Sequence, residues 1–100
     1  MVGMPSTVKV GPHVYSIVRR PKSQMSDHGG CDFNTVTISV QERLRKSKAQ
    51  EVLLHECLHA ASYPTLNDQT VSDEKFVDGL TPTLLQVLKD NPELLEYLTQ

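Results

Sequence analysis

No apolar stretch in the sequence is longer than a few residues, Val52-Leu53-Leu54 being typical. Crossing a bilayer as a helix takes roughly 18 to 20, so no membrane anchor is expected. An excess of one charge is also missing. Ten Lys and Arg stand against twelve Asp and Glu, a net charge of -2, so no global positive field draws in nucleic acid or an anionic membrane, and neither is expected as a partner. Glycine and proline are sparse, five and six in 100 residues, which excludes collagen-like and low-complexity chains. The two cysteines, Cys31 and Cys57, cannot build a four-thiolate metal site. Both are expected as free thiols, Cys57 as a small buried side chain in an apolar helix. Met1 to Thr7 has neither a basic segment leading into an apolar block nor a small-residue cleavage site, so a cytoplasmic protein is expected.

What is present suits one domain over residues 1–100. Hydrophobic residues make up 38% of the chain and charged residues 22%, and a chain of this length buries roughly two-thirds of its unfolded surface around a single core. The fold class expected is α+β: a small antiparallel sheet of about three strands, packed on two long helices, with a short helix at the C-terminus. Val8, Val10, Val14, Ile17 and Val18 mark the first strands. Thr35 to Val40 alternates with a period of two, so that Val36, Ile38 and Val40 share a face. The breakers between Arg20 and Gly30 predict a polar loop joining two antiparallel strands, with strand hydrogen bonding resuming at Cys31 to Asn34. Helical spacing predicts a first turn over 41–45 and a main helix over 47–62, ended by Pro64. A second helix is expected to start near Ser72 and to kink or divide at Thr81-Pro82. Asn91-Pro92 opens a last helix as cap and first residue, carrying Leu94, Leu95 and Leu98. The basic run Arg43, Arg45, Lys46 and Lys48 reads as a solvated helix face.

The main helix contains His55-Glu56-Cys57-Leu58-His59, an H-E-x-x-H pattern, which this composition produces by chance in about 1% of shuffled chains. At 100° per residue His59 lies about 40° from His55 and Glu56 about 100° away, while Leu53, Ala60, Cys57, Ala61, Leu54 and Leu58 fill an arc from about 140° to 300°. Two imidazoles one turn apart converge on a single zinc ion, and Glu56, turned aside, suits a base acting on water at the metal. A third ligand must come from elsewhere. No histidine lies downstream, and Ser62 and Thr65 stand where the metzincin pattern asks for glycine and histidine. Among the downstream acids, Asp68 falls in a turn. Glu74 and Asp78 share one face of the second helix, a spacing that fits a carboxylate ligand and a carboxylate that orients an imidazole.

His55-Glu56-Cys57-Leu58-His59 followed, after fourteen residues, by Glu74-Lys75-Phe76-Val77-Asp78 resembles the gluzincin signature. The order of sheet, active-site helix and glutamate helix in a chain of this length resembles the minigluzincins. It also resembles short phage-encoded proteins related to the ImmA/IrrE metallopeptidases, whose ending is like Leu84 to Pro92. The resemblance implies a zinc metallopeptidase with His55, His59 and Glu74 as ligands, Glu56 as general base and Asp78 as a buttress. It implies that Thr35 to Val40 is the rim strand along which a peptide or protein substrate would lie. His28 and Tyr63 are the candidate donors to the oxyanion. The alternative is a catalytically silent zinc-binding module that captures a regulator, in the host cytoplasm if the chain is phage-encoded.

Overall fold

A computed structural model describes residues 3–66 and 73–100, without the side chains of residues 65, 66 and 73. The expected turn at Asn67-Asp68 and the cap at Ser72 lie outside the described residues. Four strands, β1 (Thr7–Val10), β2 (His13–Arg20), β3 (Gly29–Asp32) and β4 (Thr37–Gln41), precede three helices, α1 (Lys46–Leu66), α2 (Asp73–Asp90) and α3 (Pro92–Leu98). The α+β class is as expected, but the sheet has four strands and is mixed. Its order is β1-β2-β4-β3. β1 and β2 form one antiparallel hairpin, β3 and β4 another, and the parallel pairing of β2 with β4 joins the two.

Each hairpin is explained locally. Gly11, at φ 60, takes the left-handed position of the two-residue turn between β1 and β2, which a side chain would strain. The turn over 33–36 holds Val36 at φ 54, a costly conformation for a β-branched residue. Its carbonyl accepts the Ser16 N–H at 3.0 Å, so the strained residue is fixed at the start of the parallel seam. The polar segment after Arg20 does join strands of opposite direction, yet they do not pair, because β4 lies between them. Thr35 to Val40 is therefore not a rim strand. β4 is bonded on both sides, and the rim is β3, which begins at the glycine pair expected to be loop.

The inner face of the sheet contributes Val8, Val10, Tyr15, Ile17, Ile38 and Val40 to the core, α1 contributes Val52, Leu53, Cys57, Ala60 and Ala61, and Val87, Leu94 and Tyr97 complete it. The small residues Cys57, Ala60 and Ala61 let α1 lie close on the sheet. Leu54 and Leu58, expected in the apolar stripe, are 40% and 38% exposed. The buried face is thus centred about 70° closer to the histidines than the pattern predicted, which takes Glu56 into its margin.

Neither proline stops its helix. α1 continues through Pro64, which removes only the rung to the Ala60 carbonyl close to the end of the helix. α2 is one helix through Pro82, and Thr81, instead of capping a new helix, donates its hydroxyl to the Val77 carbonyl at 2.7 Å. No helical turn forms at 41–45; Arg43 takes φ 64 there, and α1 begins at Lys46. Arg43, Arg45, Lys46 and Lys48 are exposed, as expected of a solvated face, and Lys48 pairs with Glu51 at 2.8 Å. Pro92 opens α3 as predicted, but the Asn91 side chain does not cap it. Its carboxamide accepts the Lys9 N–H at 2.8 Å and donates to the Lys9 carbonyl at 2.9 Å, and so stands in for a fifth strand at the edge of β1. Among the described residues no helix is long and apolar enough to cross a membrane.

Candidate metal centre

α1 carries the H-E-x-x-H residues where it passes under β3. The one-turn spacing brings the Nε2 atoms of His55 and His59 to 3.0 Å, with the ring planes 71° apart. Two nitrogens each about 2.0 to 2.1 Å from a tetrahedral zinc sit about 3.3 Å apart, so the pair is close to the geometry of two ligands on one ion. Both imidazoles are exposed, whereas Glu56 is only 7% exposed. The ligand atoms of His55, Glu56 and His59 lie within 4.8 Å of one another, and this group can hold a metal ion. Burial raises the Glu56 pKa above the usual carboxylate range, partly offset by His55 and His59, with Asp27 adding to the rise.

The imidazoles form a ridge between two depressions. On the β3 side lies a cleft whose polar walls include Asp27, His28, Lys48 and Glu51. On the α2 side lies an apolar groove made by Leu58 and Ser62 with Phe76 and Leu80. Ser62 is already engaged, its hydroxyl donating to the Leu58 carbonyl at 2.7 Å.

The structure brings His55, Glu56 and His59 together and does not bring Glu74 or Asp78 to them. Both stand exposed on α2. The helix presents Phe76 and Leu80 to the imidazoles, and Glu74 and Asp78 lie about 140° or more round the helix from the middle of that face. Of the two candidate oxyanion donors, His28 lines the cleft. Tyr63 instead stacks on Phe33 of the β3–β4 turn, centroids 3.9 Å apart.

Sequence reasoning expected strand pairing from Cys31 but missed that the strand begins at Gly29 and forms the rim. The His28 carbonyl accepts the Gln41 N–H at 2.8 Å, which fixes the alternation of the antiparallel ladder. Gly29 and Cys31 then fall in non-bonded pairs, with their N–H and C=O groups turned outward. Among the described residues these outward groups meet no partner and no strand lies beyond them. The signal available was Gly29-Gly30 next to Cys31-Asp32, but a glycine pair reads as a breaker until the helix lying against it is known. Both cysteines are free, Cys57 buried and Cys31 half-buried. No protein-family model, curated protein or solved structure matches the chain.

Proposed function

We propose that the protein is a zinc-dependent metallopeptidase. The observation that carries this reading is the pair of Nε2 atoms 3.0 Å apart, with a buried carboxylate beside them and, along the same cleft, a strand edge that has no partner among the described residues. His55 and His59 would hold the ion, which when bound lowers the pKa of a coordinated water and polarises a carbonyl. Glu56 takes the proton from the attacking water and delivers it to the leaving amine, a role suited to a carboxylate that burial has made more basic. An extended peptide pairs with the outward N–H and C=O groups of Gly29 and Cys31, which sets its backbone along the cleft. His28, on the cleft wall, donates to the oxyanion.

In this reading Glu74 is the third ligand and Asp78 orients an imidazole. Because both face away from the pair here, metal binding through Glu74 has to be coupled to a turn of the first part of α2 towards α1. Glu74→Ala should then weaken zinc affinity strongly and Asp78→Ala by about 10 to 100-fold; affinities equal to wild type in both variants remove α2 from the site. The reading as a whole is tested by metal analysis together with a peptide-library digest of wild type and Glu56→Gln. The expected result is one zinc per chain in both proteins and a loss of about 10² to 10⁴ in rate for the variant. Equal cleavage by the two proteins, or no cleavage by zinc-loaded wild type, overturns it; the second outcome leaves a zinc-binding module that captures a regulator.

A further inference from the structure

We infer that Gly29 is a positioning residue for Glu56, and that its missing side chain is what allows the carboxylate to sit beside the histidine pair. The kinetic consequence rests on the peptidase reading, while the premise rests on the packing of β3 against α1. A Cβ on Gly29 would lie 2.5 Å from Val52 Cγ1, 2.9 Å from Glu56 Oε2 and 3.2 Å from Glu56 Cγ. The Glu56 stem and carboxylate thus press on the volume that any other residue at position 29 would fill.

Two alternative reasons for a glycine fail. Backbone freedom is not the reason, since Gly11 is the only described glycine with positive φ. Nor does the strand need glycines in general, because a Cβ on the neighbouring Gly30 would meet nothing within 4 Å. The two contacts at Gly29 also differ in kind. Val52 is stiff at χ1 within a helix, so an added methyl that meets it pushes the strand off α1. Glu56 meets the methyl most closely with its carboxylate, at 2.9 Å, and less closely with Cγ, at 3.2 Å, and this flexible side chain gives way by rotating, which moves the carboxylate. With Val52 truncated, only the second response is left.

The test compares Gly29→Ala/Val52→Ala with Val52→Ala, so that the shared truncation cancels. We expect kcat to fall about 100-fold between them, the cost of misplacing a reacting group by about 1 Å. KM and zinc affinity should stay within about twofold, since neither the backbone edge nor the imidazoles move. Crystal structures of the two metal-free variants should show the Glu56 carboxylate displaced from β3 in the double variant alone. An unmoved carboxylate overturns the inference, as does an unchanged kcat or a loss confined to KM. Wild type that cleaves no peptide overturns the peptidase reading, and the position of Glu56 in the two crystal structures still decides the role of Gly29.

Discussion

The two edges of the sheet are built from the same backbone groups and are treated in opposite ways. On β1, the outward N–H and C=O of Lys9 are both taken by the Asn91 carboxamide, and Gln86 adds a donor to the same carbonyl at 3.0 Å and an acceptor for the Gly11 N–H at 2.7 Å. On β3, the corresponding groups of Gly29 and Cys31 have no partner among the described residues. An open strand edge invites pairing with another chain, and proteins ordinarily cover or disrupt such edges. Here one edge is covered by side chains drawn from 75 or more residues away, while the other is left open beside the histidine pair. On the peptidase reading proposed above, β3 is the edge along which a substrate strand would pair.

Breaking the closed edge should have the largest effect. Asn91→Ala removes three hydrogen bonds, two to Lys9 and one to the Val87 carbonyl. At about 0.5 to 1.5 kcal/mol each, and towards the lower end for exposed groups, the loss is about 2 kcal/mol in urea unfolding. Self-association by light scattering should appear once Gln86→Ala is added, because Gln86 still covers the Lys9 carbonyl and the Gly11 N–H in the single variant; an Asn91→Ala variant as stable as wild type contradicts the role given to Asn91.

Blocking the open edge should cost less and appear in activity. Cys31→Pro removes an outward N–H without touching a bond to β4. Relative to Cys31→Ala, KM for a cleaved peptide should rise about threefold to tenfold, the equivalent of one hydrogen bond, with kcat nearly unchanged. An unchanged KM would mean that the substrate does not pair with β3.

The expected α+β class and the pairing of His55 with His59 were readable from sequence, because they depend on spacing within single elements, whereas the buried face of α1 lay about 70° from the predicted one because the sheet decides which side of the helix is covered. What was not readable depends on contacts between elements. Alternation tells which face of Thr37 to Gln41 is buried but not which strands flank it, and the family resemblance, which implied a rim strand there, does not fit this sheet order. Gly29 looked like a breaker because its reason, Glu56, lies 27 positions further on. Asn91 had the grammar of a cap, but Lys9 competes for the same carboxamide and wins two bonds with it. Glu74 and Asp78 were correctly seen to share a face, yet which face α2 turns to α1 is set by Phe76 and Leu80.

The third prediction concerns Glu56 beneath the open edge. Burial raises its folded pKa above the ordinary 4.5, so its contribution to stability is present below that pH and is lost as pH rises through the folded value. In metal-free protein, the melting temperature of Glu56→Gln should therefore gain on that of wild type as pH increases from about 4 towards neutrality. A difference that stays flat with pH contradicts the burial of the carboxylate. The smallest effect is expected at the cysteines, whose thiols face inward although the β3 backbone faces out. Burial pushes Cys31 up to about 11 and Cys57 up to about 12. Alkylation at pH 8 should be slow at both and slower at Cys57, where only unfolding should allow reaction; rapid labelling of Cys57 in folded protein contradicts this packing.

The strand order also sets a timetable for folding. The β1–β2 hairpin closes over two residues and the β3–β4 hairpin over four, so either forms in about 1 to 10 μs once its turn is made. The seam between them is another matter. Ser16 meets Thr37, the first rung, only after the whole second hairpin has been brought round in parallel, and the loop entropy of that closure is lost before any rung repays it. Val36 has to take its left-handed conformation when the β3–β4 turn closes, and only then can its carbonyl anchor the first bond across the seam. Two quick hairpins waiting on one slow register is the kinetic signature this sheet order imposes, and Val36→Gly, which lowers the conformational cost at that corner, should speed the slow step.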